Sequence, residues 1–185
     1  MTVKLEPGTT PYAARVRPYS NDAKTFLNAY AERLSDFNFM YPNAGSAGSS
    51  PVVVVKKPPP TNFRWTGDLR QTNQRTEDIV WPMPALDSET HDLRGFQYPA
   101  LIDFVGSYWQ LPLAESCREM FSFIVPSGIY TPNRTPQGAK QSAPNFQAKV
   151  EPLFHSIRDR LKAWLDDFLV HTRVVALRRP GHPSH

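Results

Sequence analysis

The chain has 185 residues, 40% hydrophobic and 12% aromatic, and its 21 Lys and Arg against 17 Asp and Glu give a formal charge of +4. That length and apolar content suit one globular domain with a real core and exclude a disordered tail; no run of about 18 apolar residues predicts a membrane span, and the opening Met1 to Gly8 has no apolar signal region, so secretion is not expected. A single cysteine, Cys117, excludes an internal disulfide and any Cys-rich zinc site, while the mild positive charge is compatible with a polyanionic partner without demonstrating one.

Residues 1–20 read as extended or irregular. A helix is expected from Asn21 or Asp22, where a capping residue precedes Phe26, Leu27, Tyr30 and Leu34 on one face. Residues 43–50 are small and polar and read as a flexible connector. Val52 to Val55, four β-branched residues in a row, predict a strand, and residues 63–67 return it as a hairpin whose tip carries Lys56, Lys57 and three prolines. A helix is expected over about 84–94, with acidic residues in its first turns. Tyr98 to Val105 is an apolar run broken by Asp103, residues 110–113 and 119–125 read as strands, and Gly128 begins another. The loop Pro136-Gln137-Gly138 leads into a helix near 141–159, with Phe146, Val150, Phe154 and Ile157 at helical spacing and a kink or break expected at Pro152. A second hairpin spans 161–171. Nineteen prolines argue against a helix bundle. Strands and helices without a βαβ rhythm predict an α+β fold, an antiparallel sheet with helices packed on one face.

Chemistry concentrates at three carboxylates. Asp166 and Asp167 interrupt the apolar stretch Leu161 to His171, which puts them at a hairpin turn. Such a turn favours Asn-Gly or Asp-Gly because its central residues need φ > 0. Asp-Asp offers no glycine and sets like charges side by side, a cost unless a cation is present. Asp103 lies between Ile102 and Phe104 and must be exposed at a strand end, paired or metal-bound, since burying it alone costs several kcal/mol. Three carboxylates at neighbouring strand ends would make an all-oxygen cage for Mg²⁺ or Mn²⁺. Two such ions suit nucleotidyl transfer, activating a hydroxyl and stabilising a leaving pyrophosphate. The bland alternative for an isolated Asp-Asp is a solvated acidic turn. His91, His155 and His171 have no metal-site spacing, and Cys117 has no partner that would make it a nucleophile.

Several ordered motifs carry a resemblance. Arg64-Trp-Thr-Gly-Asp68-Leu-Arg70-Gln-Thr-Asn73-Gln-Arg-Thr76 is followed by Trp81-Pro-Met-Pro84. Next come Leu101-Ile-Asp103-Phe-Val-Gly-Ser-Tyr108-Trp-Gln110, then Pro136-Gln137-Gly138 with Ser142-Ala-Pro144 and Phe146-Gln147, and finally Trp164-Leu165-Asp166-Asp167. From about Ser50 to Thr172 the chain resembles the reverse transcriptases of long-terminal-repeat retrotransposons. The resemblance implies a fingers-and-palm fold with an antiparallel palm sheet: an irregular segment 1–20, a fingers-like region 21–98, a palm-like catalytic region 99–172 and an aberrant tail 173–185. It implies that Asp103, Asp166 and Asp167 hold two Mg²⁺ ions (Mn²⁺ in their place), with Asp167 the lesser ligand. Tyr108 would be the aromatic gate beneath the sugar, Arg64 and Lys57 (or Lys56) would grip the triphosphate, Gln137 would meet the nucleotide, and Gly138 would face the template. Asp68 and Arg70 would brace rather than touch substrate. Partners would be an RNA or DNA template with its primer and deoxynucleoside triphosphates. The setting would be intracellular, in the cytoplasm or in retrotransposon particles, with no membrane.

Three features depart from that family. Trp164 replaces Tyr or Phe, Lys56-Lys57-Pro58-Pro59-Pro60 replaces a glycine turn, and the sequence after Thr172 does not resemble the palm's continuation. No thumb or ribonuclease H region is therefore expected. Two readings stay open, a working polymerase domain and a truncated remnant that binds nucleic acid without turnover.

Overall fold

The computed structural model describes residues 1–59, 63–79 and 99–171. The helix expected over 84–94, the Trp81–Pro84 motif and the 173–185 tail lie outside them.

The first helix, α1 (Asn21–Asp36), starts one residue after its cap. Ser20, not Asn21 or Asp22, is the capping residue: its Oγ accepts the Ala23 N–H at 3.4 Å. The helix ends where Asn38 takes a left-handed φ of 55°, a conformation Asn tolerates better than most residues. Ala23, Leu27, Ala31 and Leu34 make its buried stripe. Phe26 and Tyr30 instead stack on each other at the stripe's edge, with centroids 5.6 Å apart.

Two sheets replace the single one expected. The strands of the larger are β1 (Met40–Pro42), β2 (Ser50–Lys56), β3 (Phe63–Gly67), β5 (Phe123–Val125) and β6 (Gly128–Pro132), in the order β1-β6-β5-β2-β3. Its pairs are antiparallel except β2 with β5, where Ser50 and Pro51 run parallel to Phe123 and Ile124. The smaller is antiparallel throughout, order β4-β8-β7, from β4 (Ala100–Asp103), β7 (Leu161–Trp164) and β8 (Asp167–Val170). The expected hairpins at 52–67 and 161–171 both form.

Each sheet has its own apolar cluster. Leu27, Met40, Val52, Leu69, Phe121 and Phe123 are at most 2% exposed and centre the larger core; burying each such side chain contributes about 1.5–3 kcal/mol. Phe146, Val150 and Phe168 centre the smaller. Gly67 is the point of closest approach in the larger core, because a Cβ there would stand 2.2 Å from Phe123 Cε1.

Other expectations need correction. Residues 43–50 are tied down rather than flexible: Asn43 N–H donates to Ile129 O at 2.8 Å, Ala47 N–H to Glu119 Oε2 at 2.9 Å, and the Ser46 and Ser122 hydroxyls bond at 2.8 Å. Residues 110–113 are not a strand. A 3₁₀ turn covers Ser107–Gln110, and Pro112, which has no N–H for a ladder, makes one bridge to Arg134. Residues Glu119–Phe121 are likewise 3₁₀, so the strand there shrinks to β5. The helix expected over 141–159 divides into α3 (Ser142–Val150) and a 3₁₀ segment, Glu151–Ile157. Pro152 lacks the amide an α-helix would use, which accounts for the change of winding. Phe154 still reaches the smaller core, 5.2 Å from Phe168, whereas Ile157 is 42% exposed.

Candidate functional site

The acidic hairpin closes with Trp164 opposite Asp167, so its two loop residues are Leu165 and Asp166, and Asp167 is already the first residue of β8. The positive φ falls on Leu165, at 53°, and not on an aspartate. A side chain in that region costs about 1–2 kcal/mol, so something must hold the turn. Gln147 of α3 does so from one side: its Oε1 accepts the Leu165 N–H at 2.9 Å and its Nε2 donates to Ala163 O at 3.1 Å. From the other side Phe104 N–H donates to Asp166 O at 2.8 Å.

Register places Asp103 directly opposite Asp167. Opposed residues of an antiparallel pair share a face, and like charges there repel. Asp103 and Asp167 are exposed and Asp166 is half-buried. Asp103 and Asp166 also line one pocket of about 220 Å³ with Tyr108, Trp109 and Gln137. Burial pushes the Tyr108 phenol above its ordinary range, and the negative charge of Asp166 adds to that. The Tyr108 ring packs edge-on against Phe146 at 5.6 Å.

Among the described residues, none of the three aspartates forms an ion pair, and no three His, Cys, Asp or Glu stand close enough to form a complete ligand set. The cage expected from the sequence is therefore partial: Asp103 with Asp166 in the pocket, Asp103 with Asp167 across the strands. Hard carboxylate oxygens at an exposed sheet end suit a divalent cation. Mg²⁺ commonly takes only one or two carboxylates, filling its octahedron with water and substrate phosphate. The donor set is of the kind a divalent cation takes.

The other predicted residues meet next door. Lys57, Arg64, Gln137 and Gly138 all line one cavity of about 710 Å³. Lys57 and Arg64 are exposed on the β2–β3 hairpin, and Lys56 is absent from the lining. Gln137 and Trp109 line both this cavity and the acidic pocket. Cations thus line one of two neighbouring spaces and carboxylates line the other. Gly138 has φ +100°, a conformation that favours glycine on backbone grounds alone.

Sequence reasoning gave no role to several residues. Arg33 of α1 is a third cation on the cavity lined by Lys57 and Arg64, and Trp109 lines both spaces while stacking on Phe39 at 5.9 Å. Asn73, at the end of α2 (Arg70–Asn73), grips the 136–140 loop: its Nδ2 donates to Gly138 O at 2.9 Å and its Oδ1 accepts the Lys140 N–H at 3.0 Å. Asp68 is held by two arginines. It bonds Arg70 Nε at 2.8 Å and Arg17 at 2.6 Å, and these hydrogen bonds, Arg70's first, hold its carboxyl well below the usual range against the opposing effect of burial. Cys117 is buried, which pushes its thiol up and away from reactivity. No helix among the described residues is long and apolar enough to cross a membrane.

The model of one protein family, described as reverse transcriptase (RNA-dependent DNA polymerase), matches residues 55–175. The chain is similar to the Pol polyprotein of feline endogenous virus ECE1, 27% identical over 97% of this chain and 18% of that protein. It is also similar to the Gag-Pol polyproteins of gibbon ape leukemia virus (26% identical, 92% of this chain, 11% of that protein) and baboon endogenous virus (26%, 91% and 10%). The chain spans less than a fifth of the length of these relatives.

Proposed function

Because the chain belongs to the reverse transcriptase (RNA-dependent DNA polymerase) family, we propose that it is the fingers-and-palm part of such a polymerase from a long-terminal-repeat retroelement. In this reading residues 21–98 are fingers-like and 99–172 palm-like, the substrates are a primed RNA or DNA template and deoxynucleoside triphosphates, and the setting is a retroelement particle or the cytoplasm. The observation that carries it is that Lys57 and Arg64 line one space and Asp103 and Asp166 another, with Gln137 and Trp109 lining both.

Asp103 and Asp166, with Asp167 beside them, would hold Mg²⁺ or, in its place, Mn²⁺. When bound, the metal supplies charge neutralisation at the reacting phosphate and a lower pKa for the primer hydroxyl. The remaining work is positioning. Arg64 presents a planar guanidinium to phosphate oxygens, and Lys57 adds a point charge on the same hairpin. Tyr108, braced by Phe146, forms the floor beneath the sugar and leaves no room for a 2′-hydroxyl. Gln137 reaches the nucleotide from the loop that Asn73 holds. Fixed groups of this kind lower a barrier by orienting reactants and by meeting developing charge without reorganisation.

Primer extension on an RNA template tests the reading: the wild-type chain should incorporate deoxynucleotides with Mg²⁺, and Asp166→Asn should not. Equal incorporation by the two proteins refutes it. A second reading, nucleic-acid binding without turnover, draws on the incomplete grouping of the carboxylates. It predicts salt-sensitive binding with incorporation no higher than that of Asp166→Asn.

A further inference from the structure

We propose that Gln147 is the positioning residue for Asp166, acting through the backbone of the acidic turn. The kinetic part of this inference rests on the polymerase reading; the structural part does not.

Gln147 is 1% exposed on α3, and both ends of its amide are used on the hairpin. β7 is an edge strand of the smaller sheet, and in a two-residue loop the first loop N–H has no ladder partner. Ala163 O and Leu165 N–H, one residue to either side of Trp164, are the groups the side chain takes. A backbone group shielded from water without a partner is costly, so the amide stabilises this turn in its part-buried setting. It does so where the chain holds Leu165 left-handed without glycine. The Phe104 amide fixes the carbonyl of Asp166 from the opposite face. Gripped from both sides, the Leu165–Asp166 unit has little freedom, and Asp166 is directed into the pocket it shares with Asp103 and Tyr108. The geometry needs an acceptor and a donor together, which distinguishes glutamine from an apolar or acidic residue of similar size.

The test compares the wild-type chain with Gln147→Leu, Gln147→Glu, Leu165→Gly and the double variant Gln147→Leu/Leu165→Gly. Native-state hydrogen exchange should show the Leu165 amide exchanging at least about tenfold faster in Gln147→Leu, with the amides of Phe146 and Phe168 unchanged. In Gln147→Glu, which can accept from Leu165 but not donate to Ala163, the Leu165 amide should stay closer to wild type. In primer extension, kcat should fall at least about tenfold in Gln147→Leu while the KM for deoxynucleotide stays within about twofold. Glycine adopts the required φ at no steric cost, so the same glutamine substitution should cost much less in the Leu165→Gly background. Should Gln147→Leu fail to fold, Gln147→Met, which also lacks both the donor and the acceptor, carries the same comparison in both backgrounds. An unchanged Leu165 amide, or an equal loss with and without Leu165→Gly, overturns the proposal. A wild-type chain that extends no primer instead defeats the polymerase reading, and hydrogen exchange then decides Gln147 alone.

Discussion

Replacing Asn73 with alanine removes both hydrogen bonds by which α2 holds the loop carrying Gln137 and Gly138. The two are not equal. The bond to Gly138 O is exposed, so water takes the place of the lost donor, whereas the Lys140 N–H is partly buried and is left short of an acceptor. With a typical net contribution of about 0.5–1.5 kcal/mol per bond, the pair amounts to about 1–2 kcal/mol. Spent on loop opening, that is about a 5–30-fold shift in the population that presents Gln137 correctly. Asn73→Ala should therefore lower the urea midpoint at unchanged m-value and raise the KM for deoxynucleotide several-fold, with kcat nearly constant, because the carboxylates sit on the other sheet. Asn73→Asp keeps the acceptor for Lys140 but sets a carboxylate against the Gly138 carbonyl, and should lose at least as much. Urea denaturation and steady-state primer extension read the two effects. Unchanged stability and KM, or a fall in kcat at constant KM, would refute the reasoning.

Asp68 predicts an acid-sensitive brace. Its carboxyl titrates below its ordinary 3.8 in the folded chain, so folding favours the charged form; the contribution is complete above about pH 5 and fades as pH falls through the folded value. Asp68→Asn should destabilise at pH 7, and its gap to wild type should narrow steadily as the pH is lowered from about 5 toward about 2 in thermal melts; a constant gap would contradict this. Gly67→Ala would drive a Cβ to 2.2 Å from the fully buried Phe123 ring, costing about 1–3 kcal/mol or more. At about 2–4 °C per kcal/mol for a domain of this size, calorimetry should resolve it. Tyr108→Ala loses the edge contact with Phe146, worth about 0.5–1.5 kcal/mol. If the ring excludes the 2′-hydroxyl, ribonucleotide use relative to deoxynucleotide should rise at least about tenfold in competition assays; an unchanged ratio rules out the gate.

Local pattern made some elements readable in advance. The run Val52–Val55 and the returning 63–67 segment carry their own strand signal, and the apolar flanks of Asp166–Asp167 announce a hairpin. Where tertiary context decides, the pattern misled. Residues 110–113 are apolar enough for a strand, yet the 3₁₀ turn Ser107–Gln110 runs into them and Pro112 has no N–H for a ladder. Small polar residues at 43–50 look like a linker until Glu119 and Ser122 arrive to bind them. The site divides in the same way. Lys57, Arg64, Gln137 and Gly138 were nameable because their motifs are local, and they share one cavity. Asn73 and Gln147 act by gripping backbone far along the chain, and nothing in a primary amide's neighbours announces a distant carbonyl. Arg33 was hidden for a similar reason, as one more arginine on a helix.

The parallel pairing of β2 with β5 bears on how the molecule comes to exist. The β2–β3 ribbon is a local hairpin, of a kind that forms within microseconds. Its other edge, at Ser50 and Pro51, waits for Phe123 and Ile124, and closing so long an intervening loop is slow. During synthesis the ribbon therefore leaves the ribosome with one side unsatisfied, and a nascent chain arrested before Val125 would carry a sticky edge open to other polypeptides.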